Sequence, residues 1–304
     1  MYSYKPLEKR LIANGLHKSD LTKKLGISSR TIAKMSKGEK IADHTLNRIA
    51  EFLHCRIGDL FTLVYENPIL QVLKEEKESR VSGGLYHELQ VRMTYTSNHM
   101  EGSRLSEEQT RWIFETRTID AEGGASIDDI IETSNHFRCI DFVIETALEP
   151  LSEEIIKRLH LLLKQGTKDS FSDWFAVGDY KKRPNAVGEV ETAPPHEVPK
   201  AMKELMAAYL TKPNIVFEDI VRFHAEFEFI HPFQDGNGRV GRLIALKECL
   251  RFNIAPFLIE DKKKLFYYRG LAKWKQEKSW LIETCLDGQD TFKKLLKMFG
   301  IQEG

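Results

Sequence analysis

Apolar residues in the first sixty positions recur at helical spacing, in short blocks separated by turns. Leu7, Leu11 and Ile12 predict one helix, ending near Asn14 and Gly15. Ser19 to Leu25 predicts a second, with Ser19 as N-cap and Gly26 just past its end. Ser28 to Met35 predicts a third, stopped by Lys37-Gly38, and Asp43 to Leu53 a fourth, with Ile57 to Leu60 as a short tail. Farther along, Pro68 to Arg80 reads as a charged linker helix, punctuated by Ser82-Gly83-Gly84. Helical spacing returns from Leu85 to Met93 and runs on to Gly102. Ser106 and Gln109 have capping-box spacing ahead of Trp112. Long helices are predicted from Ser126 to Leu148 and from Glu153 to Lys164. Others follow from near Glu197, from Phe217 to Ile230, and from Leu243 to about Phe252. Further helical packing runs through Trp274, Trp280 and Phe292. Residues 178–196 break the pattern: prolines, Val187-Gly188 and Val190, with no helical period, predict a short β-hairpin. The expected fold is mainly α.

Composition narrows the class. With 304 residues, 41% hydrophobic and 30% charged, the chain has room for two globular domains. No run of eighteen apolar residues exists, and the polar start Met1-Tyr-Ser-Tyr-Lys is unlike a signal peptide. No membrane association and a cytoplasmic location are therefore expected. Cys55, Cys139, Cys249 and Cys285 are scattered and form no Cys-x-x-Cys pair, so buried thiols are expected. Net charge is zero, but residues 1–60 hold 12 Lys and Arg against 6 Asp and Glu. A basic end on an acidic body suggests nucleic-acid binding at that end alone.

The densest chemistry lies in His231-Pro-Phe-Gln-Asp-Gly-Asn-Gly-Arg-Val-Gly-Arg242. Gly236, Gly238 and Gly241 permit a loop of unusual backbone angles that leads into a helix. Amides at a helix start attract anions. Arg239 and Arg242 add charge in a geometry matched to phosphate. Asp235 can hold a hard cation such as Mg2+ against phosphates. His231 has the ordinary pKa suited to base work near neutrality. By its residues the stretch is a phosphate grip with a base beside it.

The whole string resembles the signature of the Fic family, whose members transfer nucleotide moieties from ATP to protein hydroxyls. The resemblance implies an all-helical Fic core with a short β-hairpin flap over about residues 85–304, and ATP as substrate with Mg2+. His231 would be the catalytic base. Gly236, Asn237, Gly238, Arg239, Val240, Gly241 and Arg242 would handle ATP. Tyr268, and less directly Tyr267, would line the adenine side. Residues 183–193 would be the flap on which a target protein docks by strand pairing. Ser97 and Glu101 lie four apart, hence on one helix face, before Gly102. They resemble the inhibitory motif of N-terminally autoinhibited Fic proteins, on a helix over about residues 94–102. Glu101 would then pair with Arg242 and hold the enzyme off. Leu246 departs from the family, in which many relatives carry Asn there.

Residues 1–62 resemble the Cro/repressor-type helix-turn-helix family through Leu21, Gly26-Ile27-Ser28, Thr31-Ile32, Lys34, Gly38, Thr45-Leu46, Ile49 and the closing Ile57-x-Asp-Leu. That resemblance implies DNA as a partner, met by Ser28, Ser29, Arg30, Thr31 and Lys34. Residues 63–84 would be a linker. The leading expectation is an autoinhibited protein adenylyltransferase that modifies a Ser, Thr or Tyr hydroxyl. A transcriptional regulator whose Fic domain senses ATP or its own modification, and an enzyme that removes AMP, remain alternatives. Whether the chain forms a homodimer is left open.

Overall fold

The computed structural model describes residues 2–63, 67–120, 124–187 and 190–302. It divides into two compact units, Met1–Glu66 and Asn67–Gly304. Helices dominate both, and among the described residues none is long and apolar enough to cross a membrane.

The first unit packs helices α1 (Lys5–Ala13), α2 (Lys18–Leu25), α3 (Ser29–Ser36) and α4 (Asp43–Phe52) around Leu7, Leu11, Leu21, Ile27, Met35, Leu46, Ile49 and Leu60. Strands β1 (Tyr2–Ser3) and β2 (Thr62–Leu63) pair antiparallel and bring the ends of the unit together. The helix starts differ from expectation at one place. His17, not Ser19, is the N-cap of α2, because the Asp20 carboxylate three residues on accepts the His17 amide at 2.8 Å. Gly26 ends α2 at φ 63°, a left-handed C-cap, as its position predicts. Ile12 points to solvent at 71% exposure; Leu7 and Leu11 alone carry α1 into the core.

The second unit is a helical bundle. Its helices are α5 (Pro68–Ser79), α6 (Leu85–Met100), α7 (Glu107–Thr116), α8 (Ile127–Thr146), α9 (Glu153–Lys164), α10 (Val198–Leu210), α11 (Phe217–Ile230), α12 (Asn237–Arg251), α13 (Lys264–Ala272) and α14 (Ser279–Met298). The cap predicted from sequence is made, Ser106 and Gln109 capping each other's backbone, and Ser126 and Ser152 accept amides at the starts of α8 and α9. α5, expected to be a linker, buries Ile69, Leu70 and Leu73 in the main core. Asn67 caps it by accepting the Leu70 amide at 2.9 Å. A two-residue pair of strands, β3 (Ala186–Val187) and β4 (Val190–Glu191), forms the expected hairpin; its turn at 188–189 lies outside the described residues.

α12 sits at the centre. Every residue from Asn237 to Leu250 is buried, so the helix has no solvent side. Its apolar residues Val240, Leu243, Ile244, Leu246 and Leu250 join one core cluster, and Ala245 and Cys249 join another. Its polar residues must therefore find partners inside the protein. Lys247 donates to the Glu149 carbonyl at 2.6 Å, and Glu248 accepts from the Tyr209 hydroxyl at 3.0 Å. Cys139, Cys249 and Cys285 are buried free thiols, and Cys55 is half-buried.

Phe292 on α14 is fully enclosed in the main core. Phe292→Ala is expected to lower stability by about 3–5 kcal/mol through lost burial and the cavity left behind. Urea unfolding of the full chain, with a lowered midpoint and an unchanged slope, is the check.

Candidate active site

The loop between α11 and α12 is held shut by its own residues. Asn237 accepts the Phe233 amide at 2.7 Å and donates to the Phe233 carbonyl at 2.9 Å. Phe233 is fully buried and stacks on His160, centroids 4.0 Å apart and planes within 7°. Gly236 takes φ 80°, which a residue with a Cβ rarely adopts. The Asn237 side chain is thus committed to the loop itself, which leaves its amide at the start of α12. Val240 faces the core, and its amide is bonded to the Gly236 carbonyl, so it offers nothing to a ligand. Gly241 also faces inward, where an added Cβ would meet Glu228 Oε1 at 2.6 Å and His224 Nδ1 at 2.8 Å. What remains for an anion is the start of α12, with the amides of its first turn.

A carboxylate already sits there. Glu101 accepts from Arg242 Nη2 at 2.6 Å, and a Cβ placed on Gly238 would collide with Glu101 Oε1. Glycine at 238 is what lets the carboxylate approach the helix start. Ser97, one turn earlier on α6, holds the other face of the same guanidinium: its Oγ accepts from Nε at 2.9 Å and its carbonyl from Nη2 at 3.0 Å. Burial pushes the Glu101 carboxyl up, but the charges of Arg242 and Arg239 outweigh it and hold the group below its ordinary range. Arg242 itself is held fully charged. α6 ends at this point. Tyr268 donates to the Met100 carbonyl at 2.9 Å and Lys264 to the His99 carbonyl at 3.2 Å.

The second arginine has its own partners. Arg239 pairs with Glu132 of α8 and, at 3.2 Å, with Asp235. Lys164, at the end of α9, bridges Glu132 at 2.5 Å and Asp235 at 2.6 Å. Burial raises Asp235, but Arg239 and Lys164 overwhelm that and keep the carboxylate ionised far below its usual range. Its side chain is about half exposed. An ionised, half-exposed oxygen donor is the kind of ligand Mg2+ takes together with phosphates and water, and among the described residues no cluster of three ligating side chains surrounds it. Glu132 and Lys164 were not singled out from the sequence. Each reads there as one more charged residue on an amphipathic helix.

His231 is the C-cap of α11 in a left-handed conformation, φ 51°, with its amide on the Phe227 carbonyl at 2.9 Å. Histidine tolerates this region better than most residues. Burial first, and then the charge of Lys181, push its imidazole down to about 4. The ring is therefore neutral near pH 7, with a free lone pair. Below it lie His224 and Tyr267, joined Nε2 to hydroxyl at 2.5 Å, and Glu228, whose carboxyl burial pushes up to about 8. Tyr267 is fully buried and belongs to a core cluster. Tyr268 is half-exposed.

In the first unit Ser28 caps α3, its Oγ accepting the Thr31 amide at 3.2 Å and lying 2.9 Å from the Thr31 hydroxyl. Ser28, Ser29 and Arg30 are exposed at the start of α3, with Thr31 and Lys34 half-buried beside them. Three of the five residues expected to meet DNA are thus fully presented at one helix end, which is the end a recognition helix uses.

Two family models match the chain. The Fic/DOC family matches residues 150–249, and the Cro/C1-type HTH DNA-binding domain matches residues 6–66. The chain thus joins a Fic/DOC domain to a Cro/C1-type helix-turn-helix domain. Among curated relatives, "Protein adenylyltransferase Fic" of Aedes aegypti is 24% identical over 79% of this chain and 46% of its own length. A "Probable protein adenylyltransferase" of Aquifex aeolicus is 28% identical over 38% of this chain and 37% of its own. The chain spans less than half the length of these relatives. Among solved structures, a Fic domain-containing signaling protein from Bacteroides thetaiotaomicron matches with TM-score 0.62 and 26% identity, over 77% of this chain and 94% of that one. Fic-1 from C. elegans shares the fold at TM-score 0.58 and 20% identity, over 75% of this chain and 69% of that one.

The Glu101–Arg242 pair has a pH signature. A carboxyl held below its unfolded value contributes stability that is full above that value, about 4.3, and is lost as pH falls through the lowered one. At neutral pH the thermal midpoint of Glu101→Gln should lie below that of the intact chain. The gap should close below about pH 4, as protonation releases the pair in the intact chain too. A gap independent of pH, in thermal unfolding followed from pH 7 to 2.5, would contradict the assignment.

Proposed function

We propose that the chain is an autoinhibited protein adenylyltransferase that transfers AMP from ATP to a Ser, Thr or Tyr hydroxyl of a target protein and of itself. The observation that carries this reading is the Glu101 carboxylate, seated over Gly238 and paired with Arg242 at the α12 start. An anion there mimics what the site is built to hold, and it occupies the cation that would grip the γ-phosphate. His231, neutral at pH 7, accepts the proton of the target hydroxyl. The hydroxyl oxygen bonds to the α-phosphorus, the bond from that phosphorus to the bridging oxygen breaks, and pyrophosphate leaves. The first-turn amides of α12 and Arg239 stabilise charge on the phosphate chain. Asp235 would hold Mg2+, which offsets phosphate charge when bound. With Glu101 in place, ATP is held out of line, and misplacement of reacting atoms by about 1 Å can cost on the order of 10²-fold in rate. The hairpin over residues 183–193 presents a strand edge on which the target backbone adds.

The exposed start of α3 supports a second role in the same chain: DNA binding through Ser28, Ser29, Arg30, Thr31 and Lys34. The Fic domain would then act where the helix-turn-helix places it. If transfer were only onto the chain itself, and altered operator affinity, the protein would serve as a nucleotide-sensing regulator.

Incubation of the intact chain, Glu101→Gly and His231→Ala with α-labelled or γ-labelled ATP tests the chemistry. Label from α-ATP should appear on protein, rise at least about tenfold in Glu101→Gly, and vanish in His231→Ala. Equal labelling in all three sinks the mechanism, and label from γ-ATP alone means phosphotransfer. For the first unit, selection from a random duplex library at low salt should yield a preferred site. Arg30→Ala should then weaken binding to it by about 1–3 kcal/mol if Arg30 reads a base. A uniform loss on all sequences would mean a phosphate contact instead.

A further inference from the structure

Lys181 is a buried lysine to which the transfer chemistry assigns no task. It is 3% exposed, yet among the described residues no carboxylate pairs with it. Its ammonium donates to three neutral oxygens: Asn185 Oδ1 at 2.6 Å, Thr192 Oγ1 at 2.6 Å and the Ile230 carbonyl at 3.5 Å. Burial pulls its pKa down to about 8, so it is still mostly charged near pH 7. Among the described residues its charge is met by neutral oxygens alone, and buried ionisable groups of this kind cluster at functional sites.

Its acceptors come from two parts of the site. Asn185 and Thr192 flank the hairpin, on either side of β3 and β4. Ile230 is the last residue of α11, immediately before His231. The surrounding bonds run the same way. The Lys181 amide donates to the Pro232 carbonyl at 2.8 Å, and Asn185 Nδ2 donates to the carbonyls of Phe233 at 3.0 Å and Gln234 at 3.3 Å. Thr192 Oγ1 donates back to Asn185. One ammonium therefore sits at the junction between the hairpin base and the peptide that carries His231. The groups facing the imidazole are few. Lys181 disfavours its protonated form, while the Glu228 carbonyl, Glu101 and Asp235 favour it.

We propose that Lys181 is a positioning residue for the transfer reaction: it locks the target-presenting hairpin to the peptide bearing His231, and it places a positive charge beside the base. This deepens the adenylyltransferase reading and rests on His231 as its base. The lock fixes the distance between a backbone-docked hydroxyl and its base, which is the quantity orientation effects depend on.

The test uses the full chain in the Glu101→Gly background and separates charge from tie. Lys181→Gln keeps a donor and removes the charge; Asn185→Ala removes the tie and keeps the charge. The titration of His231 is followed by NMR of labelled histidine, assigned by its loss in His231→Ala. Lys181→Gln should raise the midpoint by about half a unit or more, and the acid limb of the kcat–pH profile should move with it. Asn185→Ala should leave the midpoint in place, lower kcat about tenfold or more, and speed hydrogen exchange at residues 185–187. Lys181→Arg, which keeps charge and donors, should restore the midpoint and guards against misfolding of the neutral variant. An unchanged midpoint in Lys181→Gln, or unchanged kcat and exchange in Asn185→Ala, overturns the proposal. Absence of labelling in Glu101→Gly itself would instead overturn the adenylyltransferase reading, and the titration and exchange results would still decide on Lys181.

Discussion

Two guanidinium groups on a helix with no solvent side have to be neutralised from elsewhere, and much of the second unit is arranged around that need. Arg239 and Arg242 lie on the first turns of α12, where every position is buried. An unpaired charge in such a place costs several kcal/mol. Glu132 of α8 answers one arginine and Glu101 of α6 the other, so the two helices are pinned to α12 by ion pairs as well as by apolar packing. The pairs differ in kind. Glu132 is itself held by the buried Lys164, in a network that also fixes Asp235. Glu101 is the C-cap just past the end of its helix, about a quarter exposed, and among the described residues only the guanidinium is a cation within ion-pair distance. Of the two, Glu101 is the one that can leave.

The same comparison bears on how much the fold depends on the Glu101 carboxylate. Arg242 keeps two neutral partners from Ser97 when Glu101 is absent, so the guanidinium would not be stranded. The start of α12 also gains an anion wherever the carboxylate or a phosphate sits, which makes the two mutually exclusive occupants of one electrostatic site.

On the other side of the loop, His231 stands between neutral and charged neighbours whose effects oppose. Burial and Lys181 keep the ring neutral; Glu101 and Asp235 pull toward the protonated form. The hydrogen bonds that hold its loop in place converge from Asn237 within the loop and from Asn185 and Lys181 on the hairpin side. Stacking of Phe233 on His160 completes the support from below. Geometry is fixed here by hydrogen bonds and packing, while the surrounding charges shift the proton affinity of the imidazole.

Much of this was legible along the chain because it is local. Glycines at 236 and 238, a carboxylate at 235 and arginines three apart at 239 and 242 define a helix start facing an anion, whatever the rest of the fold does. Ser97 and Glu101 share a helix face by spacing alone, and the serine caps at 106, 126 and 152 are nearest-neighbour chemistry. The hairpin was visible as a break in helical period. Tertiary structure alone decided the partners. Glu101 reaches Arg242 across 141 positions and Glu132 reaches Arg239 across 107, and no periodicity encodes which of 45 acidic residues will do so. It also decided that the Asn237 side chain bonds Phe233 while Val240 packs in the core, that Tyr267 is enclosed while Tyr268 is not, and that α5 packs in the core. Side-chain direction on a helix buried all round depends on what covers each face. That is fixed by the packing of distant segments and not by the residue or its neighbours.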